Sequence, residues 1–354
     1  MEMVDSDASV LVATDGHLGR IRLNRPRALN SLTAEMISTV AAGLDAFERN
    51  DAVEAVLIDG AGDRGFCAGG DIHALRESAL GDGSAARAFW AAEYRVNARI
   101  ARYPKPVVSV MDGIVMGGGI GLAAHASHRV ATPALSAGMP EVGIGFYPDV
   151  GGTWLLAQAP GRIGEHLALT GTTVNAPDAV ICGLADVEVS SEQIPELAAA
   201  LAHGVAPDAA IRSAAATAPL GQLADARVWI DAAYAASTIS EILTKLEARA
   251  EPSAVRAAQL IRARSPTSLA VTLRGLRAAR RMGAVEEVLD QDYRIACRFL
   301  ETPDFTEGIR AAVVDKDRQP RWNPEKAGSV TVEDTQRYFA SLGVAELGLA
   351  SLRP

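Results

Sequence analysis

Two carboxylates, Glu141 and Asp149, lie eight residues apart in a segment that glycine and proline interrupt every few residues. Residues 139–152 can therefore form neither a regular helix nor a regular strand. A carboxylate held among apolar side chains in such a loop loses contact with water, which favours its neutral form. Proton transfer and nucleophilic catalysis both use carboxylates in these surroundings. The structural alternative is that Asp149 only caps a helix beginning near Val150.

Two glycine clusters are the second group of candidate functional residues. One spans residues 65–72, and the other is Gly117-Gly118-Gly119 at the start of a predicted helix. Glycine lets a backbone approach a ligand closely, and the first N–H groups of a helix have no partner within it. Two such N–H groups that converge on one point would form an oxyanion hole. Glycine at a strand-to-helix turn that serves packing alone is the alternative for each cluster.

Alternating strands and helices are expected to position these residues, and they predict an α/β fold. Strands are predicted at 19–24, 55–60 and 106–111, and helices at 31–50 with Thr33 as N-cap, at 85–103 and at 117–124. After about residue 190 the strand signals fade. A capping box at 190–193 and a proline after Ser265 predict helices there. We expect a catalytic core at residues 1–190 and an α-helical C-terminal region at 191–354.

Three arginines, Arg274, Arg277 and Arg281, recur at helical spacing in the C-terminal region. This pattern predicts a solvated helix face, with phosphate contact as the alternative. Glu286 and Asp290 on the following helix are the expected partners of the arginines.

Composition excludes several function classes. The net charge of −9 argues against general nucleic-acid binding, and the chain has no run of 18 apolar residues that would predict a membrane span. Three widely spaced cysteines fit a reducing compartment. The acidic start, residues 1–7, lacks the features of a secretory signal, so we expect a cytoplasmic location. Neither a P-loop nor a histidine spacing typical of metal sites is present.

The chain resembles the crotonase (enoyl-CoA hydratase/isomerase) superfamily in three segments, which have the order and spacing of that superfamily's motifs. These are residues 66–71 (FCAGGD), 116–119 (MGGG) and 139–141 (MPE). Within that superfamily it looks most like the 3-hydroxyisobutyryl-CoA hydrolases. That narrower resemblance rests on 148–152 (PDVGG) after Glu141, on Gly121, and on the C-terminal run 304–310 (DFTEGIR).

The resemblance implies a crotonase-like ββα spiral core and an acyl-CoA substrate. The implied reaction is hydrolysis of 3-hydroxyisobutyryl-CoA to 3-hydroxyisobutyrate and coenzyme A, in valine catabolism. It requires no metal or other cofactor, and trimers or hexamers are the implied assemblies. An enoyl-CoA hydratase or isomerase on the same fold is the alternative, and a non-catalytic acyl-CoA-binding protein is a third.

Gly121 bears on the choice between hydrolase and hydratase. Hydratases of the superfamily use two glutamates, one at the position of Glu141 and one three residues past the middle glycine of the triplet. The second position is Gly121 here, which has no side chain. Asp149 supplies a second carboxylate instead, as in the hydrolases.

The resemblance also implies roles for other residues. The N–H groups of Gly70 and Gly118 would bind the thioester oxygen, while Glu141 attacks the carbonyl or activates water, and Glu93 would contact the substrate hydroxyl. Arg25 and Arg27 are candidate partners of the coenzyme A phosphates. Further substrate contacts are expected from Ala68, Gly69, Asp71 and Gly117.

Overall fold

Strands and helices alternate in the first half of the computed structural model, which describes residues 8–215 and 221–352. The strands are β1 Val10–Asp15, β2 Leu18–Leu23, β3 Ala55–Gly60, β4 Gly65–Cys67, β5 Val107–Met111, β6 Ile114–Met116, β7 His128–Ala131, β8 Ser136–Gly138 and β9 Val187–Glu188. The α-helices are α1 Ala34–Arg49, α2 Ile72–Leu80, α3 Ser84–Ala101, α4 Gly118–Ala123, α5 Gly152–Ala157, α6 Ile163–Thr170, α7 Ala176–Cys182, α8 Ile194–Ala202, α9 Pro207–Ala214, α10 Gln222–Tyr234, α11 Ile239–Glu247, α12 Pro252–Arg262, α13 Pro266–Ala279, α14 Val285–Phe299, α15 Pro303–Ile309 and α16 Val332–Phe339. The predicted α/β fold is confirmed, whereas the acidic start at 1–7 lies outside the described residues.

Contacts within the chain define two compact units, each made of three segments. The first unit comprises the described residues of Met1–Gly70, Arg95–Ala137 and Val174–Gly221, and the second those of Asp71–Tyr94, Gly138–Thr173 and Gln222–Pro354. One segment of the first unit runs across residue 190, and the second unit has segments before and after that residue. The predicted boundary at residue 190 stays a prediction. No helix in the described ranges is long and apolar enough to cross a membrane.

A six-stranded sheet of order β1-β2-β3-β5-β7-β9 forms the frame of the first unit. Strands β1 and β2 pair antiparallel, and every later neighbour pairs parallel. All but the last residue of β3 are buried, as expected for an apolar strand covered on both faces. Helices α8 and α9 cover one face, where Leu57, Val108 and Val130 of the sheet join a buried cluster with Leu197 and Leu201.

Helices dominate the second unit, and α13 contacts several of its other helices. The predicted stripe of Leu269, Leu273 and Leu276 is buried, which confirms the helical spacing. The predicted start of the helix is also confirmed, because the Ser265 hydroxyl accepts a hydrogen bond from the Ser268 N–H at 3.1 Å with Pro266 in the first turn. Such capping satisfies N–H groups that the helix itself leaves unpaired.

Two other predicted helix starts have opposite outcomes. Thr33 caps α1 through the Met36 N–H at 3.2 Å, which confirms that prediction. The capping box at 190–193 is wrong, because the Ser190 side chain makes no capping hydrogen bond. A 3₁₀ turn spans those residues, and α8 begins only at Ile194. The spacing of the proposed box therefore falls on a tighter turn than the first turn of an α-helix.

We expect Gly308→Ala to lower the free energy of unfolding by about 1–3 kcal/mol, the usual cost of overpacking a core. Helix α15 packs on the 3₁₀ turn Glu141–Ile144, and a β-carbon at Gly308 would overlap the backbone carbonyl of Ile144. Urea unfolding at neutral pH measures the effect. Gly283→Ala is the matched control, because its β-carbon would lie 3.7 Å from the nearest heavy atom outside its neighbours. Equal urea midpoints for the two variants would contradict the packing argument.

Candidate active site

Three of the predicted carboxylates form a buried cluster within the second unit. Glu93 lies on α3, Glu141 opens a 3₁₀ turn and Asp149 lies in the loop before α5. Their exposed fractions are 2%, 7% and 5%. The charge of Asp149 raises the pKa of both glutamates, so the structure brings all three groups within electrostatic range of one another.

Burial is the main cause of the unusual acidity of the cluster. Loss of water raises the pKa of Glu93 and Glu141 well above the ordinary glutamate value, and repulsion from Asp149 adds to that shift. Burial also raises the pKa of Asp149 to about 7. Carboxyl groups with a pKa near neutrality can exchange protons at physiological pH, as general acid–base catalysis requires.

Tyr94 is the hydrogen-bond donor that orients Asp149. Its hydroxyl donates to Asp149 Oδ2 at 2.6 Å, and this bond lowers the pKa of the carboxyl group against the effect of burial. Asp149 does not act as a helix cap, because α5 begins at Gly152 and its N-cap Gly151 has no side-chain bond. The structural alternative for Asp149 is therefore wrong.

Two carboxylate oxygens of the cluster lack a protein partner. Within the described ranges, Glu93 Oε1 and Glu141 Oε2 are buried and accept no hydrogen bond. Buried polar atoms are nearly always paired, so each such atom calls for an explanation. A substrate or a water molecule that donates to these oxygens would provide one.

The loop that carries Asp149 has strained backbone geometry. Val150 has a φ of +53° and Gly151 a φ of +73°, and the left-handed region is costly for a β-branched residue such as valine. Asp292 of α14 holds this turn, because its Oδ2 accepts the Gly151 N–H at 2.8 Å. The Tyr147 hydroxyl donates to the other oxygen of Asp292 at 2.8 Å. The fully buried Asp292 thus fixes both the turn and the loop that precedes it.

Aromatic side chains of the second unit surround the same loop. Phe146 stacks on Trp90 with ring centroids 5.2 Å apart and contacts Phe305 at 4.9 Å. The N–H of Phe146 donates to the carbonyl of Glu141 at 3.0 Å. This packing ties the Glu141 turn to an apolar wall and accounts for the desolvation of the carboxylates.

The two glycine clusters meet within the first unit. Gly69 has a φ of +98°, and a β-carbon there would lie 3.1 Å from the Met116 carbonyl oxygen and 3.4 Å from the Gly118 nitrogen. Only glycine therefore allows residues 68–70 to approach the start of α4 so closely. Gly118 is the first residue of α4, so its N–H has no acceptor inside the helix. The geometry is compatible with a backbone anion site, and the oxyanion role of Gly70 and Gly118 stays a prediction.

Asn30 braces the first glycine cluster. Its fully buried side-chain amide donates to the carbonyls of Ala61 and Phe66, both at 3.0 Å. The backbone carbonyl of Asn30 accepts the Cys67 thiol at 3.2 Å. Asn30 has a left-handed backbone with a φ of +54°, which asparagine tolerates better than most residues. These bonds hold the turn that leads into Ala68 and Gly69.

Other predicted contact residues have structural partners of their own. Asp71 caps α2 by accepting the Ala74 N–H at 3.4 Å. Arg25 donates to the Ser31 carbonyl at 2.6 Å, whereas Arg27 is exposed. Their roles in substrate binding stay predictions.

Sequence reasoning missed Tyr94 and Asp292 as parts of the carboxylate cluster. Tyr94 follows Glu93 directly in the predicted helix at 85–103, where no motif marks it. Asp292 lies 143 residues after Asp149 on a helix without a motif. No group of three or more His, Cys, Asp or Glu side chains in the described part of the chain is arranged to hold a metal ion. That no cofactor is needed stays a prediction.

A family model described as enoyl-CoA hydratase/isomerase matches residues 18–339. The chain belongs to this family, and its fold is that of the crotonase superfamily.

Two similar relatives are both named as hydrolases. The chain is 38% identical to the mitochondrial 3-hydroxyisobutyryl-CoA hydrolase of Rattus norvegicus over 350 residues, which cover 96% of this chain and 91% of the relative. The human enzyme of that name is 35% identical over 97% of this chain and 91% of its own length.

Two similar solved structures are instead named as a dehydratase and a hydratase. A carnitinyl-CoA dehydratase from Mycobacterium thermoresistibile matches with a TM-score of 0.93 and 48% identity, over 96% of this chain and 98% of that chain. An enoyl-CoA hydratase from Rhodobacter sphaeroides 2.4.1 matches with a TM-score of 0.91 and 43% identity, over 96% and 99%.

Proposed function

We propose that the protein is an acyl-CoA thioester hydrolase that converts 3-hydroxyisobutyryl-CoA and water to 3-hydroxyisobutyrate and coenzyme A. The observation that carries the proposal is the buried cluster in which Glu141, near Asp149, keeps an oxygen that has no partner among the described residues. The hydrolases among the curated relatives, at 35–38% identity over nearly the whole chain, support the choice of reaction. A place in valine catabolism follows from that substrate and is part of the proposal.

The proposed chemistry needs only the carboxylates and backbone donors. In one route, Glu141 forms a bond to the thioester carbonyl carbon, the carbon–sulfur bond breaks, and the coenzyme A sulfur leaves and takes up a proton. Water then cleaves the resulting anhydride and restores the Glu141 carboxylate. In the other route, Glu141 takes a proton from the water that attacks the same carbon, the carbon–sulfur bond breaks, and the proton passes to the sulfur of the coenzyme A that leaves. Asp149 orients Glu141, the water or the substrate in both routes.

Other residues have supporting roles in the proposal. The N–H groups of Gly70 and Gly118 stabilise negative charge on the thioester oxygen, and loss of one such donor typically costs about 3–4 kcal/mol. Glu93, whose Oε1 atom is buried and unpaired among the described residues, accepts the substrate hydroxyl. An analogue without that hydroxyl would leave the oxygen unsatisfied, which gives selectivity for hydroxyacyl groups. Arg25 and Arg27 remain candidates for the coenzyme A phosphates.

A hydratase or dehydratase is the second candidate. The names of the two solved structures at 48% and 43% identity favour it. Gly121 argues against it, because the superfamily resemblance places the second glutamate of hydratases at this position. Addition of water across a double bond would then depend on Glu141 and Asp149 alone.

We expect purified protein to release free thiol from 3-hydroxyisobutyryl-CoA with saturation kinetics. A thiol-reactive dye follows the release, and isobutyryl-CoA, which lacks the hydroxyl, tests the role proposed for Glu93. Hydrolysis of the hydroxyacyl ester at least about 10 times faster is the expected preference, because unpaired buried polar groups penalise the analogue.

An assay with crotonyl-CoA distinguishes the hydrolase from the hydratase. Loss of its enoyl absorbance without thiol release would make the protein a hydratase and overturn the proposal. If the protein binds acyl-CoA but changes neither substrate, the non-catalytic alternative would replace it. The cytoplasmic location and the trimeric or hexameric assembly are separate proposals that these assays do not address.

A further inference from the structure

A cavity of about 520 Å³ lies within the second unit, apart from the carboxylate cluster. It is bounded by the starts of α11 and α16 and by one face of α13. None of Glu93, Glu141 and Asp149 lines it. The lining residues are Ser237, Thr238, Ile239, Ser240, Ala270, Leu273, Arg274, Arg277, Arg281, Gly328, Val330, Thr331, Val332 and Thr335.

Three arginines line this cavity without an ion-pair partner among the described residues: Arg274, Arg277 and Arg281. The predicted pairing with Asp290 is wrong, because the carboxylate of Asp290 accepts the N–H groups of Leu349 and Ala350, at 2.8 and 3.0 Å. No ion pair with Glu286 forms either. The cavity therefore carries local positive charge in a chain whose net charge is −9.

Two of the arginines are held in place by neutral groups. Arg277 donates to the backbone carbonyls of Ala236 and Ser237, at 2.6 and 3.1 Å. Arg274 donates to the Thr335 hydroxyl at 3.1 Å and lies over the Phe339 ring, 4.8 Å from its centroid. These bonds hold both guanidinium groups in place. The charges of Glu165 and Glu241 also act on Arg277, but within the described residues neither carboxylate forms a salt bridge with it. A prepositioned arginine loses little conformational entropy when it binds an anion.

The rest of the lining suits an anion as well. Hydroxyl groups supply further donors, and within the described residues no Asp or Glu lines the cavity. The nearby carboxylates have other partners. Glu165, whose charge acts on Arg277, pairs with Arg162 and Arg280. Glu241 accepts the N–H groups at the start of α11, and Asp334 accepts the Thr331 N–H at the start of α16. The hydroxyls come from Ser237, Thr238, Ser240, Thr331 and Thr335.

We propose that this arginine-lined cavity binds a phosphate group of a small molecule. Guanidinium groups match the geometry of phosphate oxygens and bind them through paired charge-assisted hydrogen bonds. Serine and threonine hydroxyls complete the coordination of oxygens that face away from the arginines. The phosphate belongs either to a separate small metabolite or to the coenzyme A part of a substrate, and the two sources share the same recognition chemistry.

Calorimetric titration of the 354-residue protein with inorganic phosphate, at constant ionic strength maintained with chloride, tests the proposal. We expect saturable binding at one site. Arg281→Gln should weaken it at least about tenfold, because one charge-assisted contact is lost. Arg281 is exposed, and within the described residues its side chain makes no hydrogen bond or ion pair, so we expect its replacement to leave the fold intact. Arg274→Gln should weaken binding in the same direction.

Arg256→Gln is the matched control, because Arg256 is also exposed, lies in the same unit and does not line the cavity. Absence of saturable phosphate binding to the wild type would overturn the proposal, as would equal weakening in Arg256→Gln and Arg281→Gln. A parallel titration in saturating coenzyme A identifies the source. Competition would assign the site to the phosphates of the coenzyme, and unchanged affinity would assign it to a separate ligand.

Discussion

Replacing Glu141 by glutamine is expected to lower kcat for thioester hydrolysis by about 10³-fold or more. Glutamine keeps the shape of the side chain but neither attacks a carbonyl as a carboxylate nor accepts a proton from water. Glu141 Oε2, which accepts no hydrogen bond from the described part of the chain, is buried, so bulk water cannot substitute for the carboxylate efficiently. Thiol release from 3-hydroxyisobutyryl-CoA, measured at saturating substrate and neutral pH, checks the effect.

Binding and folding must be separated from catalysis in this comparison. We expect Glu141→Gln to bind the thioester at least as tightly as the wild type, since removing a buried charge does not weaken a neutral acyl pocket. Glu35→Gln is the control, because Glu35 is an exposed glutamate on α1. A Glu141→Gln protein that retained more than about a tenth of the wild-type kcat would remove Glu141 from the mechanism.

Much of the first unit was predictable because its strands carry local signals. The predicted strand 55–60 coincides with β3, and Thr33 caps α1 as expected. In the second unit, Ser265 caps α13 as expected. Apolar runs and capping residues act over a few neighbouring positions, so a single sequence contains the information. The capping box at 190–193 failed because its spacing also fits a 3₁₀ turn, and tertiary context decided between them.

The carboxylate cluster was predictable only in part. The glycines and prolines around Glu141 and Asp149 marked this loop as irregular, and the family resemblance added Glu93 as a candidate site residue. Tyr94 and Asp292 could not be assigned, because their roles depend on contacts with Asp149 and Gly151 across long sequence separations. An aspartate on a regular helix has no local mark that distinguishes a buried brace from a solvated residue.

The ionised carboxylates that the proposed reaction requires lower the stability of the fold in this cluster. A buried Asp149 with a pKa raised from 3.8 to about 7 binds a proton more tightly in the folded than in the unfolded chain. Its contribution to folding is therefore fully present below the unfolded pKa and is lost as pH rises through about 7. The raised pKa values of Glu93, Glu141 and Asp292 act in the same direction. The fold retains buried carboxylates although they lower its stability at neutral pH, as functional sites commonly do.

The rate of thioester hydrolysis is expected to fall about tenfold for each pH unit below the pKa of Asp149, because only the ionised carboxylate can orient or activate a nucleophile. With that pKa at about 7, kcat/KM should decline through the neutral range, reaching about 1% of its plateau two units below the pKa. Because burial raises the pKa of Glu141 as well, these values are the smallest decline expected. Initial rates between about pH 5 and 8.5 in buffers of constant ionic strength measure it.

Tyr94→Phe tests which group sets that decline. The Tyr94 hydroxyl stabilises the ionised form of Asp149, so its removal should move the acid limb of the pH profile to higher pH and lower the rate most strongly near neutrality. Tyr147→Phe is the matched control, because Tyr147 is equally buried but donates to Asp292 rather than to Asp149. A profile that stays flat below pH 7, or that shifts equally in both variants, would separate the catalytic rate from Asp149. A shift in Tyr94→Phe alone would establish that a single phenolic hydrogen bond adjusts the catalytic carboxylate to neutral pH.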